Sequence, residues 1–275
     1  MSAGFFLNAK LFSLSGLILG STSTFLLLIL VIYGKAKFHK IWALFNLSVA
    51  WWGFGSLFMG LSDNASRTLF ITKIAYLGVL FIPVFFYHFS CVFSEINRKF
   101  LIICAYLQAI FFSILSLSTN GIPFISHVER IGTSSMFYIR STGVLYNISF
   151  VIWICLVAMG FIETLLRYFK EPTGIKRNQL LYLFVGFFLG FTGGLSNFLP
   201  DYGINVVPLG NFTVPFYCIV STYAILKYKL LHIKIVITRV GVFIFVYSLL
   251  LGIPFWLGIK YLGLGPWIMP TGICA

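Results

Sequence analysis

Apolar residues in this chain neither alternate with polar ones nor form a single helical stripe. They run almost unbroken for about twenty residues at a time, with short polar stretches between the runs. Such runs fall at 11–33, 41–61, 69–93, 100–118, 143–166, 180–199, 209–226 and 240–259. A helix of about twenty apolar residues spans the hydrocarbon core of a bilayer. Backbone in lipid must satisfy its own hydrogen bonds, which leaves helices or a closed barrel, and unbroken runs exclude the alternation a barrel requires. The pattern therefore predicts an all-α, polytopic membrane bundle. Residues 1–239 form a seven-helix core, and 240–275 supply an eighth helix with a short tail. The first run is longer than the apolar part of a signal peptide, and no small-x-small site closes it before Gly34 and Lys35, so it is expected to remain as an anchor.

Composition agrees: 60% of the 275 residues are hydrophobic and 9% charged, against about 25% charged in a soluble domain. The net charge of +13 does not point to nucleic acid, because the bases cluster between the apolar runs. Lys35, Lys37 and Lys40 follow the first run, Arg98 and Lys99 the third, and Arg167, Lys170, Lys176 and Arg177 the fifth. Lys227, Lys229, Lys234 and Arg239 follow the seventh, so these odd-to-even connections hold thirteen of the 19 Lys and Arg. By the positive-inside rule those connections are cytoplasmic and the N-terminus is outside, in a multi-pass protein of the inner (plasma) membrane. The longest connection, 119–142, then faces outward and suits a surface loop or short interfacial helix.

Ionisable and polar residues at membrane depth are costly, so they are the first candidates for function. Lys73 lies about one turn inside the outer end of its run, where it either snorkels to the headgroups or contacts a ligand. His88 sits deep in the third run, after Pro83, which should bend that helix and help aim the imidazole inward. His39, His127 and His232 fall in connections, so no intramembrane partner exists for a bis-histidine haem, and no cofactor is expected. Asn147, Asn197 and Asp201 join Lys73 near the outer leaflet, where the four would line a polar cavity. Lys73, His88, Asn147, Asn197 and Asp201 are thus the candidate sensing contacts, each with a plain packing or snorkelling alternative. Glu163 stands four residues before Arg167, the favoured order for a helix ion pair. Gly186, Gly190 and Gly194 lie at four-residue spacing, which predicts a bare face for close helix packing. No phosphate loop, H-E-x-x-H, G-x-S-x-G or metal-ligand cluster is present, so neither a catalytic residue nor a metal site is expected.

The second half of the chain is more specific. It contains Arg177-Asn178-Gln179-Leu180-Leu181-Tyr182, Asn197-Phe198-Leu199-Pro200, Gly203, Pro208-Leu209-Gly210, and a run from Tyr223 through Lys227, Tyr228 and Lys229 to Leu231. With Trp51-Trp52-Gly53 and the stretch from Pro83 to Phe89, this resembles the N-terminal seven-helix membrane region of bacterial sensor histidine kinases over most of 35–239. The resemblance implies a sensory input module of a two-component system, not an enzyme by itself. The implied partners are membrane lipids, cytoplasmic kinase domains or a kinase subunit, and a second copy in a homodimer, with no nucleic acid. It also implies a cytoplasmic coupling segment carrying Lys227, Tyr228, Lys229, His232, Lys234 and Arg239, although His232 stands where an acidic residue belongs. An eighth apolar run in place of a soluble domain leads to the expectation of a truncated or split receptor with its C-terminus outside. The alternatives are a small-solute transporter or channel subunit, which the scarcity of midplane charge and the lack of an internal repeat disfavour, and a non-signalling subunit or gene fragment.

Overall fold

The computed structural model describes residues 3–118, 124–131, 136–140 and 143–226. Its long helices coincide with the apolar runs: α1 (Ala3–Tyr33), α2 (Lys37–Leu61), α3 (Ala65–Phe93), α4 (Lys99–Leu117), α5 (Val144–Lys170) and α6 (Ile175–Leu195). A seventh, α7 (Val214–Leu226), closes the described bundle. Six of the helices are long and apolar enough to cross a membrane, and the chain is a multi-pass helical membrane bundle. The expected eighth run, 240–259, and the coupling segment from Lys227 to Arg239 lie outside the described residues.

Each boundary has a local cause. The Asn64 side chain accepts the Arg67 amide and caps α3, while His39 Nδ1 accepts the Ala36 amide at 3.0 Å where α2 starts. The end of α3 carries Glu95 at φ 60°, and the Ile96 amide reaches back to the Cys91 carbonyl at 2.9 Å. That is the six-to-one closure of a helix C-terminus, with a glutamate where glycine is usual.

Connection 119–142 differs from the loop or interfacial helix expected of it. Val128–Arg130 (β1) and Phe137–Ile139 (β2) pair antiparallel, with Glu129 opposite Tyr138. The second strand is aromatic and β-branched, as strands favour, and it packs downward: Tyr138 and Ile139 are buried, and the Tyr138 ring meets Phe12 of α1 at 6.0 Å. The seventh apolar run also breaks its expected helix. It opens with a 3-10 turn (Leu209–Phe212), and the Gly210 amide is satisfied by Ser196 Oγ at 3.2 Å before α7 begins. Irregular backbone at this depth is tolerated because such internal donors and acceptors are available.

Packing inside the bundle rests on aromatic rings and on glycine approaches. Trp42 stacks on Phe45 at 4.3 Å, Phe86 meets Phe187 edge-on at 4.6 Å, and Trp42 Nε1 donates to Thr222 Oγ1 at 3.0 Å, joining α2, α3, α6 and α7. Where α1 crosses α2, a methyl group on Gly16, Gly53 or Gly60 would strike the backbone of the facing helix. On α6, a side chain at Gly190 would overlap the Tyr217 ring, and one at Gly193 would overlap Thr213. A methyl group on Gly186 would lie 3.3 Å from Ser221 Oγ, a looser approach, and one on Gly194 would enter open space. Gly186 and Gly190 of the expected 186/190/194 stripe thus face α7, and Gly194 alone departs from it. Helix α7 and the 3-10 turn before it meet Gly190 and Gly193, and the position of Gly194 is left to a cavity.

Pro83 removes one helical amide in α3, which leaves the Val79 carbonyl without its usual donor. Trp153 Nε1 of α5 takes that place, donating to Val79 at 3.2 Å. The proline thus creates a cross-helix hydrogen bond that ties α5 to the middle of α3.

Candidate functional site

Polar groups concentrate at the two ends of the bundle. At the end bearing the β-hairpin, Asp201 lies in a 3-10 turn (Pro200–Tyr202) closed by Gly203 at φ 89°. The carboxyl group is buried, and its Oδ2 accepts from Tyr76 of α3 at 3.1 Å and from Tyr146 of α5; the two phenol oxygens are 2.7 Å apart. Oδ1 has no hydrogen-bond partner among the described residues. Arg140, after β2, fixes the turn from outside: Nη1 donates to the Pro200 carbonyl at 3.1 Å, and Nε faces Glu129 at 3.3 Å. Burial raises the Tyr138 hydroxyl well above its ordinary pKa, so the ring beside this cluster stays neutral.

Tyr76 also borders a cavity of about 50 Å³ whose walls include Trp52, Trp153, Phe191, Phe198 and Tyr217. Two amides give it a polar corner. Asn197 Nδ2 donates to Asn211 Oδ1 at 2.9 Å and to the Gly194 carbonyl at 3.0 Å, and Trp52 Nε1 reaches Asn211 Oδ1 at 3.4 Å. Asn197 Oδ1 and Asn211 Nδ2 remain, one acceptor and one donor, both buried and unpartnered among the described residues. A space of this size with two such groups is large enough for a water molecule or a small polar fragment of a ligand.

The opposite end is ionic. Glu95 pairs with Lys176 and, at 3.3 Å, with Arg167, which also meets Glu171 at 2.9 Å. Glu163 pairs with Arg98 at 2.8 Å, not with Arg167 as its spacing suggested. Glu163 is buried beside the α3–α4 turn, within reach of Arg98, and Arg167 is drawn to the two other carboxylates. The Lys176 hydrogen bond, with the charges of Lys176 and Arg167, holds the Glu95 carboxyl below its ordinary pKa; Glu163 raises that of Arg98.

Of the five candidate contacts, Asp201 and Asn197 fall in the buried cluster and at the cavity. Asn147 lies beside them, its Oδ1 accepting the Tyr202 hydroxyl at 2.9 Å. Lys73 donates to the Ser118 carbonyl at 3.4 Å, where α4 ends. His88 is far along α3 toward the ionic end, half-buried, with Nδ1 2.9 Å from the Tyr106 hydroxyl of α4. These five residues therefore do not converge on one site. Tyr76, Tyr146, Trp52 and Asn211 complete the clusters and were not among the candidate contacts; Trp52 entered only through the Trp51-Trp52-Gly53 motif, and Asn211 is legible only as a polar residue within an apolar run. Among the described residues no group of three or more His, Cys, Asp or Glu is placed to hold a metal ion.

Residues 17–234 match a family model described as the N-terminal 7TM region of histidine kinase. No kinase domain was found in the 275-residue chain. No curated protein and no solved structure matches.

Proposed function

Because the chain belongs to the family of N-terminal 7TM regions of histidine kinases, we propose that it is the sensory input module of a two-component receptor in a bacterial plasma membrane. Phosphorylation would belong to kinase domains, or a kinase subunit, on the cytoplasmic side. The bias of Lys and Arg supports an outside N-terminus, with the ionic end in the cytoplasm and Asp201 near the outer face.

One observation carries this reading. Helices α3 and α5 each hold a member of the buried cluster, Tyr76 partway along α3 and Tyr146 in the first turn of α5, and each leads into the ionic network at its far end. Tyr76 bonds Asp201, and Glu95 follows the last turn of the same helix; Tyr146 bonds Asp201, and Glu163 pairs with Arg98. Seventeen residues of helix, about 26 Å, separate the members on α5. A stimulus that displaces the hydrogen bonds of Asp201, or fills the cavity beside Asn197 and Asn211, favours one packing of α3 against α5 over another. The ion pairs at the far end then rearrange, and segment 227–239 passes the change to the kinase. Asn147 and Lys73, near the same end as Asp201, are the candidate contacts for the stimulus at the rim.

The test is a chimera with kinase domains fused after Arg239. Phosphate incorporation from ATP should shift by about fivefold or more, the lower range of allosteric coupling, when Asp201 is replaced by Asn. An active chimera whose rate ignores that substitution would refute the reading.

A further inference from the structure

The ionic end carries a groove of about 400 Å³ that sensing at the opposite end does not use. Lys37 at the start of α2, His88 and Val92 near the end of α3, and Arg98, Lys99 and Ile103 entering α4 form its walls. The groove therefore lies at three helix ends, the level at which spanning helices would meet the headgroup layer. Glu95 also borders it, but that carboxylate is engaged by Lys176 and Arg167. Lys37 and Lys99 have no ion-pair partner among the described residues, and Arg98 uses Nε on Glu163, which leaves its terminal nitrogens as donors. The start of α4 has no side-chain cap at Arg98, and Arg98 and Lys99 of that turn border the groove.

A second observation selects the ligand. Only 22% of the apolar window of α4 is buried, the lowest share of the six spanning helices. From the groove, Ile103, Leu107, Ile110 and Ile114 run along α4 as one exposed stripe at steps of four, three and four residues. The basic groove and the apolar track join at Ile103, which belongs to both.

We infer that this groove binds the phosphate of an anionic phospholipid, with one acyl chain lying along the α4 stripe. Arg98 and the two lysines neutralise the phosphate, and a choline headgroup is disfavoured because its own cation would enter a basic site. A free phosphate lacks the chain that the stripe accommodates.

The experiment uses the full chain in neutral detergent and follows its thermal midpoint against added phosphatidylglycerol, phosphatidylcholine of the same chains, or inorganic phosphate. Phosphatidylglycerol should raise the midpoint and the other two should not. Lys37→Gln and Lys99→Gln should each weaken the apparent affinity roughly fivefold, whereas Lys170→Gln, outside the groove, should leave it unchanged. Equal shifts from the two lipids, an equal loss in Lys170→Gln, or a full effect from inorganic phosphate would overturn the inference. Should the glutamine variants fail to fold, phosphatidylglycerol with a photoreactive acyl chain should label residues 100–114 of the unaltered protein above other helices. Uniform labelling would overturn it equally.

Discussion

At the residue scale, two glycines four positions apart on α6 have opposite surroundings. A leucine at Gly190 must displace the Tyr217 ring, whereas an alanine at Gly194 enters open space. Gly190→Leu should therefore lower the thermal midpoint in detergent or abolish expression, by overpacking of about 1–3 kcal/mol, and Gly194→Ala should leave it within about 0.5 kcal/mol. Sensitivity of both would show that the cavity beside Gly194 is filled by protein. Trp153 gives a second contrast. Trp153→Phe keeps most of the ring but removes the donor to the carbonyl freed by Pro83, at a cost of about 1 kcal/mol for one interhelical hydrogen bond in a membrane. A double variant with Pro83→Ala, which returns an amide to α3, should recover part of that loss in unfolding measurements. Residue identity alone marked Pro83 as a break in the hydrogen bonding of α3, but its consequence needed Trp153, 74 positions after Val79, to be seen beside that carbonyl.

Among elements, the helices were legible because lipid leaves the backbone few options: an apolar run of spanning length has to be helical. Elements governed by distant partners were not. The β-hairpin depends on α1 and α3 beneath it, and the break before α7 depends on Ser196 and Gly193 receiving Gly210. The ion pairs failed for the same reason: spacing along α5 offered Arg167 to Glu163, while the fold offered Arg98, 65 positions away. Glu95 tests the network that joins the α3–α4 turn to α5 and α6. Its carboxyl pKa is lowered in the folded protein, so its contribution to stability is fully present above the ordinary value of 4.5 and is lost as pH falls through the lowered one. Thermal stability should decline as the pH is taken below 4.5, and Glu95→Gln should decline less over that range while starting lower. Parallel pH curves for the two proteins would show that these surface pairs contribute nothing measurable.

For the whole molecule, the clustering of bases is the basis for the proposed orientation, and the polar residues at depth were enough to suggest Asp201 and Asn197. Their assembly was not legible, because Asp201 finds Tyr76 and Tyr146 at separations of 125 and 55 residues. Reporter fusions after Lys99 and after Arg177 should report cytoplasm, and one within 126–140 should report the outside; the reverse pattern would invert the proposed direction of signalling. The central claim is that the Asp201 cluster and the Arg98–Glu163 pair are energetically linked through the helices between them. A double-mutant cycle of Asp201→Asn and Arg98→Gln, read from unfolding in detergent, measures that link without any kinase attached. Sites about 26 Å apart with no connecting element add to within about 0.5 kcal/mol. The double variant should depart from the sum of the single variants by more than that margin, and strict additivity would contradict coupling between the two ends.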